Sequence, residues 1–331
     1  MIDSNQLQVF IATYRRPEML SRQLDSLLDQ TFRPAEITVL DNAADAATRQ
    51  IVESRAPRGA RYVATSDLGP LGNMKFAIAH AHNTGYVAVF HDDDCVAPTY
   101  FESVAKVISA GGGGYSVVVG ACRECEPLDF RFPTEPPHTR GLVLTGADWA
   151  LHMYAGILGK YPFAFYRADR FRTLDIERIY ADYGRACDIA ILLSTVEDGG
   201  RAAYLTYPFC LYGYHSGQDS ANPATFPDVR VFARLDALYA RFMGHSLRTL
   251  PGFVYVFLCR RNLHSAYKRR GQKTLSYSAF LSFARQSGAL PAVHHLFHCI
   301  SNHLTQAWVR AFALRSLARR EVELTKGGSI I

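Results

Sequence analysis

Short β-branched or aromatic segments alternate with helical segments over the first 120 residues, and this alternation limits the fold more than any other feature. Strands are predicted at 8–13, 36–40, 61–65, 86–90 and 115–120. Helices are predicted from Pro17, around Ile51 and Val52, over 74–82 after a loop at 67–73, and from Pro98. Such a chain forms right-handed βαβ units, so we predict an α/β fold whose central sheet is mostly parallel and covered on both faces.

Polar side chains follow three of these strands at the point where each strand ends. They are Thr13-Tyr14-Arg15, Asp41-Asn42 and Asp92-Asp93-Asp94. Ligands of open α/β sheets bind outside the carboxyl ends of the strands. We therefore expect these polar residues to converge on one edge of the sheet.

Three adjacent carboxylates at the end of an apolar strand require a cation or several hydrogen-bond donors. A divalent metal such as Mg²⁺ or Mn²⁺ is one solution, because hard cations bind carboxylate oxygens. If the strand geometry continues, Asp92 and Asp94 point to one side and Asp93 to the other. A solvated acidic turn, or a helix cap ahead of Pro98, explains the cluster equally well at this point.

The second half of the chain is less regular and ends in a strongly basic region. A loop is predicted over 123–145, helices over 148–157 and 188–196, and strands over 162–166 and 202–214. From Arg241 onward the chain has 14 of its 36 lysines and arginines but only two of its 30 acidic residues. We therefore predict a catalytic domain over 1–230 and a basic, α-helical region over 231–331.

The composition favours an intracellular protein and excludes several classes. The N-terminal segment lacks the pattern of a signal peptide, and the longest apolar run, 253–259, is too short to cross a bilayer. The seven cysteines form no disulfide framework, so we expect a cytoplasmic protein with free thiols. The basic region carries no nucleic-acid-binding motif, so we expect no nucleic-acid partner.

The segments VFIATYRRPEMLSRQLDSLLDQ, LDNAAD, LGPLGNMKF and VFHDDD, in this order, resemble the family 2 glycosyltransferases over roughly residues 8–220. The resemblance implies a GT-A fold and an enzyme that transfers a sugar from a nucleotide-diphosphate donor with inversion. It also implies Mn²⁺ or Mg²⁺ as the cofactor.

The resemblance assigns the donor-binding residues. Thr13, Tyr14 and Arg15 would line the nucleotide pocket, and Asp41 would bind the base. Asn73 matches the asparagine of the family's glycine-containing loop; the family's basic residue before it is replaced by Gly72, so Lys75 is expected to supply that charge.

The resemblance also assigns the metal and the catalytic base. Asp94 is expected to be the direct metal ligand, with Asp92 contacting the ribose or the metal and Asp93 also lining the donor site. His215, in the segment YGYHS, would reach the metal or the diphosphate. Asp188 occupies the position of the general base, whereas Cys187 replaces the acidic residue that usually precedes it. From the helix pattern alone, Asp188 could equally be a helix cap.

The function implied is a UDP-favouring transferase that acts on a glycan or lipid-linked acceptor in the synthesis of a bacterial-type surface glycan, such as lipopolysaccharide or capsule. The basic helices predict contact with an anionic membrane surface on the cytoplasmic side, although packing on the catalytic domain explains them equally well. The sequence leaves a homo-oligomer open.

Two other functions remain open from the sequence. A nucleotidyltransferase that makes nucleotide sugars shares a related fold, but the first loop, ATYRRP, lacks the glycines of that class. A non-catalytic glycosyltransferase-like protein that binds membranes or glycans is allowed by the departure at Cys187.

Overall fold

A computed structural model describes residues 2–65, 69–125, 132, 139–154, 161–213, 231, 234–235, 237–239, 241–242, 311, 315 and 319–324. Ten strands are described among these residues: β1 (Leu7–Thr13), β2 (Ile37–Asp41), β3 (Ala60–Ala64), β4 (Tyr86–His91), β5 (Cys95–Val96), β6 (Val117–Cys125), β7 (Arg140–Thr145), β8 (Ala164–Arg167), β9 (Arg201–Gly213) and β10 (Val322–Glu323). The α-helices are α1 (Pro17–Leu28), α2 (Ala46–Ser54), α3 (Gly69–His80), α4 (Tyr100–Ala110), α5 (Gly146–Tyr154), α6 (Ala168–Arg172), α7 (Ile176–Tyr183) and α8 (Cys187–Ser194).

The strands form one mixed sheet in the order β10-β7-β9-β6-β8-β4-β1-β2-β3, and β5 pairs with β9 outside this path. The N-terminal half is parallel as predicted, since β4, β1, β2 and β3 run in the same direction. In the other half, β8 runs antiparallel to both β4 and β6. This antiparallel strand joins the βαβ half of the sheet to the later strands.

Successive residues of the central strands enter two different hydrophobic clusters. In β1, Phe10 belongs to one cluster, whereas Val9 and Ile11 belong to the other. In β4, Val87 and Val89 belong to the first cluster. Because successive strand residues point to opposite faces, both faces of the sheet are covered. The strand ends that carry the polar residues therefore belong to a sheet that is packed on both faces.

Local sequence signals explain where the helices begin. Pro17 occupies the first turn of α1, where its missing N–H costs no hydrogen bond. The Asp45 side chain accepts a hydrogen bond from the Thr48 amide and caps α2. Asp175 caps α7 in the same way through the Arg178 amide.

Two predicted boundaries were wrong. The helix predicted over 74–82 begins at Gly69, so Gly72 and Asn73 lie within α3 rather than in a loop. Pro70 was taken as a loop signal, but proline is also favoured in the first turn of a helix. The loop predicted over 123–145 contains β7, in which the buried Leu142 and Leu144 alternate with more exposed residues.

The segment near position 320 returns to the sheet of the N-terminal part. Strand β10 pairs antiparallel with β7, with Val322 opposite Gly141. The Leu324 amide donates to the Thr139 carbonyl, and the Leu324 side chain is fully buried. This part of the region predicted as a separate basic unit is thus a β-strand packed on the catalytic sheet.

Most of the predicted basic helical region lies outside the described residues, and the boundary near residue 230 stays a prediction. Leu235, Leu238 and Tyr239 are described, and all three belong to the hydrophobic cluster that contains Phe10. Over the part of the chain that the structure describes, no helix has both the length and the apolar character needed to cross a membrane.

We predict that Leu324→Ala lowers the free energy of unfolding by about 2–4 kcal/mol, because it removes a fully buried side chain and leaves a cavity. Val322, in the same short strand, is 40% exposed, so Val322→Ala should cost only about 0.5 kcal/mol. Urea unfolding of both variants measures the difference. Equal stability of the two variants would show that this segment does not pack on the sheet.

Candidate functional site

The polar ends of β1, β2 and β4 lie at one edge of the sheet, as the sequence predicts. Thr13 is in register with Asp41 on the neighbouring strand β2. On the other side of β1, Ala12 is in register with His91, the last residue of β4. The side chains after these strands are therefore held together by the backbone hydrogen bonds of a buried parallel sheet.

The three aspartates lie in a turn between β4 and β5, and all three are buried. Their exposed fractions are 3% for Asp92, 6% for Asp93 and 1% for Asp94. The prediction that Asp93 points away from Asp92 was wrong, because both carboxylates bind the same guanidinium nitrogen. The strand ends at His91, so the alternation of side chains does not extend into the aspartates.

Arg16 supplies a positive charge to this cluster. Its Nη1 atom lies 3.1 Å from Asp92 Oδ1 and 2.9 Å from Asp93 Oδ2. The residue occupies the N-cap position of α1, at the end of the first loop, without a side-chain capping hydrogen bond. Arg16 therefore connects the loop after β1 to the aspartate turn after β4.

Asp92 also accepts hydrogen bonds from the first loop. Its Oδ2 atom accepts a hydrogen bond of 2.8 Å from the Thr13 hydroxyl and a longer one of 3.4 Å from the Tyr14 amide. Burial raises the pKa of Asp92, whereas the Arg16 guanidinium and the Thr13 hydroxyl oppose this change. Both oxygens of Asp92 are thus engaged by residues of this chain.

Asp94 is bound by the backbone of β9. Its Oδ1 atom accepts a hydrogen bond of 3.1 Å from the Gly213 amide. A Cβ atom at Gly213 would overlap the Asp93 carbonyl oxygen, so only glycine lets this strand approach the turn so closely. Gly213 therefore positions Asp94.

His91, Asp93 and Asp94 form a group that could hold a metal ion. Each residue offers one ligand atom, and these three atoms all lie within 4.8 Å of one another. The sequence predicted Asp94 in this role together with Asp92 and His215. His215 lies outside the described residues, and His91 was not predicted.

Asp41 is fully buried and organises its own loop. Its carboxylate accepts hydrogen bonds from the Ala43 amide (2.9 Å), the Asp45 amide (2.7 Å) and the Tyr62 hydroxyl (2.9 Å). Burial and the Asp41 charge raise the pKa of Tyr62 to about 12, so its hydroxyl remains protonated and donates. Asp41 lies at the predicted edge, but its contacts here hold the loop that would surround a base.

Asn73 and Lys75 lie on α3, and both have partners in other parts of the fold. The Asn73 side chain is buried, accepts a hydrogen bond from the Thr65 hydroxyl, and donates to the Leu40 carbonyl at 3.5 Å. It therefore joins α3 to the ends of β2 and β3. Lys75 forms an exposed ion pair with Glu177 of α7. Arg16 brings a positive charge to the aspartates.

Tyr14 and Arg15 extend from the first loop toward solvent. Tyr14 is 48% exposed, and the Arg15 guanidinium lies over its ring, 5.1 Å from the centroid. Arg15 has a φ angle of 53°, which is unusual for a residue with a side chain. This conformation separates the two arginines, because Arg16 contacts the aspartates while Arg15 stacks on Tyr14.

Asp188 lies in the first turn of α8, where the helix dipole favours a negative charge. Its Oδ1 atom accepts a hydrogen bond of 2.8 Å from the Ile189 amide. Helix α8 packs against the 3₁₀ turn at Tyr161–Phe163, and that turn contacts β4. Burial and the adjacent Asp188 raise the pKa of the Cys187 thiol to about 12, so Cys187 is a neutral neighbour.

Sequence reasoning missed Arg16, His91 and Gly213. Arg16 and His91 stand inside the motifs TYRRP and HDDD, but nothing in the sequence distinguishes Arg16 from Arg15. The bond from Gly213 to Asp94 joins residues far apart in the chain and depends on how β5 pairs with β9. Only the folded backbone reveals these contacts.

Residues 8–169 match the sequence profile of the family described as glycosyl transferase family 2. This match identifies residues 8–169 as a family 2 glycosyltransferase domain, and the strand order agrees with a GT-A-like fold.

Two curated glycosyltransferases match part of the chain. The chain is 34% identical over 131 residues to validoxylamine A glucosyltransferase of Streptomyces hygroscopicus subsp. limoneus, a match that covers 37% of this chain and 27% of that protein. It is 33% identical over 131 residues to the protein of the same name from the subspecies jinggangensis, covering 37% of this chain and 29% of the relative. The chain thus spans less than a third of the length of these relatives.

Solved structures support the fold. Residues 1–349 of S. aureus TarS in complex with UDP-GlcNAc superpose with a TM-score of 0.52 at 16% identity, covering 88% of this chain and 91% of that one. The structure of the same fragment described without a ligand gives a TM-score of 0.51 at 15% identity, covering 88% and 90%. At these identities the similarity shows the fold alone.

We predict that Arg16→Met lowers the free energy of unfolding by about 1–3 kcal/mol. Breaking a buried ion pair typically costs about 3–5 kcal/mol, and the partial exposure of Arg16 reduces this cost. Arg15→Met is the matched control and should change stability by about 0.5 kcal/mol or less. Urea titrations without metal measure both values, and equal effects would contradict the bridging role of Arg16.

We predict that Gly213→Ala lowers the free energy of unfolding by about 2–3 kcal/mol, because the added methyl group displaces the aspartate turn. Gly112→Ala is a control with open space and a φ angle of 60°, and it should cost about 1 kcal/mol from backbone strain alone. The measurement is the melting temperature of the Gly213→Ala and Gly112→Ala variants, each with and without Mn²⁺. A Gly213→Ala protein with full stability and an unchanged response to Mn²⁺ would refute the positioning role.

Proposed function

We propose that this protein transfers a sugar from a nucleotide-diphosphate donor, with UDP favoured, to a glycan or lipid-linked acceptor with inversion. The buried aspartate turn at the carboxyl edge of the parallel strands carries this proposal, because it lies in the family 2 domain. The TarS fragment was solved with UDP and with UDP-GlcNAc, which supports the same class of donor here.

We propose Mn²⁺ or Mg²⁺ as the cofactor. Carboxylate oxygens fit either ion, and the group of His91, Asp93 and Asp94 offers two carboxylates and one imidazole. A bound divalent ion would neutralise the charge that develops on the leaving diphosphate. Asp94 is the proposed direct ligand, with Asp92 and His215 as the further contacts expected from the sequence.

The first loop is proposed to bind the nucleotide. Tyr14 offers an exposed ring, and Arg15 adds a positive charge beside it. Thr13 already donates to Asp92, so the loop and the aspartate turn form one surface. Asp41 and Asn73 shape the adjoining loop and helix. Lys75 forms an ion pair with Glu177, so it would add a positive charge to the donor site only after that ion pair breaks.

Asp188 is the proposed general base. A carboxylate in the first turn of α8 remains ionised more easily because of the helix dipole. It would accept the proton of the acceptor hydroxyl as that oxygen attacks the anomeric carbon from the face opposite the diphosphate. A single displacement inverts the configuration. Cys187 remains neutral, so it does not compete for this proton.

The proposed setting is the synthesis of a bacterial-type surface glycan at the cytoplasmic face of the membrane. The support is the basic sequence after Arg241, which favours contact with an anionic surface. Co-sedimentation of the protein with anionic and with neutral vesicles tests this setting. Membrane contact predicts binding to the anionic vesicles, whereas packing of the basic region on the catalytic domain predicts binding to neither.

We predict that Asp94→Asn and Asp188→Asn each lower the turnover of UDP-sugars with Mn²⁺ by at least about 100-fold. Asp94→Asn should also abolish the Mn²⁺-dependent thermal shift with UDP, whereas Asp188→Asn should retain it. Asp198→Asn is the control, because this acid is 84% exposed. NMR of the product tests inversion at the anomeric carbon.

Undiminished activity in both variants would contradict the assigned site. Absence of turnover in the unmodified protein with every donor tested, despite UDP binding, would favour a non-catalytic binding protein. Pyrophosphate release from a sugar phosphate and a nucleoside triphosphate would favour a nucleotidyltransferase.

A further inference from the structure

We propose that Tyr100 is a positioning residue, whose buried hydroxyl holds the 3₁₀ turn Tyr161–Phe163 in place and so sets where Asp188 stands relative to the donor. This inference rests on the proposed function, in which Asp188 is the general base. It predicts that the loss of one hydroxyl group slows sugar transfer without weakening the binding of the donor.

The Tyr100 hydroxyl joins three elements in the interior of the protein. It donates a hydrogen bond of 2.7 Å to the Phe163 carbonyl and accepts one of 3.0 Å from the Gly120 amide. Tyr100 is the first residue of α4 and is fully buried. Burial raises the pKa of Tyr100 well above its usual value, so the hydroxyl stays protonated and remains a donor. The 3₁₀ turn is thus tied to the start of α4 and to β6.

The pairing of β6 with β9 is interrupted where Gly120 meets this hydroxyl. Gly120 is in register with Leu205. The next paired residue of β6, Cys122, is already in register with Cys210, so β9 bulges between the two pairs. A Cβ atom at Gly120 would lie only 2.7 Å from the Tyr100 ring. The glycine therefore leaves the space that the tyrosine ring occupies.

The packing around Tyr100 fixes the place of its hydroxyl. Three other aromatic rings have centroids 5.6 to 6.0 Å from that of Tyr100, and they belong to Phe101, Phe165 and Phe209. The Gln30 side chain donates to the Ala97 carbonyl (2.7 Å) and accepts from the Phe101 amide (2.9 Å), which fixes the backbone at the start of α4. The hydroxyl is therefore a defined point against which the 3₁₀ turn is held.

The turn Tyr161–Phe163 lies between the two halves of the proposed site. On one side, the Phe163 ring meets the Tyr212 ring edge to face, with centroids 6.5 Å apart. The residue after Tyr212 in β9 donates its amide to Asp94. On the other side, the turn packs against α8, which carries Asp188 in its first turn. A shift of the turn would therefore change the distance between the donor site and the base.

The proposed chemistry is sensitive to such a shift. Misplacement of a reacting group by about 1 Å can cost about 100-fold in rate. Donor binding is assigned to the first loop and the aspartate turn, and Arg16 still joins these two segments when the Tyr100 hydroxyl is removed. A change at Tyr100 should therefore appear in kcat rather than in the affinity for UDP.

The test is Tyr100→Phe, which removes the hydroxyl and keeps the ring. Turnover of UDP-sugars with Mn²⁺ and the affinity for UDP are measured on the full chain. We expect kcat to fall by at least about tenfold, whereas the donor KM and the Kd for UDP should change by less than about threefold.

Tyr86→Phe is the matched control. The Tyr86 hydroxyl is buried as well, and its proton is shared between the carbonyls of Tyr115 (2.6 Å) and Gly113 (3.2 Å). Tyr86 begins β4, so it lies at the end of this strand remote from the aspartates. Both variants should lower the melting temperature by similar amounts, because each removes a buried hydroxyl with two hydrogen-bond partners. Tyr86→Phe should leave kcat unchanged.

Hydrogen exchange measured without donor tests the positioning role independently of turnover. Peptides that cover residues 161–167 and 187–194 should exchange at least about threefold faster in Tyr100→Phe than in the unmodified protein. In Tyr86→Phe, the exchange of the same peptides should be unchanged. A loss of stability alone would affect both variants in the same way.

The proposal is overturned if Tyr100→Phe retains its kcat, if Tyr86→Phe loses as much activity, or if UDP affinity falls together with kcat. Unchanged exchange over 187–194 in Tyr100→Phe would also overturn it. If the unmodified protein binds UDP but transfers no sugar to any acceptor, the proposed function fails. Hydrogen exchange then decides the structural link alone: faster exchange over 187–194 in Tyr100→Phe only would support it, and equal exchange in both variants would refute it.

Discussion

The bridge from Arg16 to Asp92 and Asp93 is the interaction on which the arrangement of the site depends. Three carboxylates confined to a buried turn repel one another, and burial alone would favour their neutral forms. Arg16 offsets part of this repulsion and joins the first loop to the turn. The loop that presents Tyr14 and the turn that presents Asp94 are consequently fixed relative to each other.

The sequence predicted the edge of the sheet where the site lies, but not the contacts within it. Hydrophobic alternation located β1, β2 and β4, and the rule for parallel sheets placed Thr13, Asp41 and the aspartates together. The side-chain directions of the aspartates were wrong because the chain turns after His91. The sequence allowed an acidic turn as an alternative but could not decide between it and a continued strand, because β5, which follows the turn, pairs with the distant strand β9.

Contacts between distant residues explain the other differences. Lys75 was expected to compensate for Gly72, but α3 presents Lys75 to Glu177 on α7, an element about a hundred residues away. Asp41 was identified correctly as a strand-end acid, yet Tyr62 and two amides already bind its carboxylate. A single sequence identifies residue types at an edge, whereas their partners follow from tertiary structure.

The pairing of β10 with β7 has a consequence for the order in which the protein folds. Strand β7 is complete when residue 145 has been synthesised, but its partner at Val322–Glu323 leaves the ribosome much later. Until then, one edge of the catalytic sheet has backbone groups available to other strands, which promotes aggregation. Closing so long a loop is also slow. Chains that stop before this segment would therefore carry an intact aspartate turn on a sheet with an open edge.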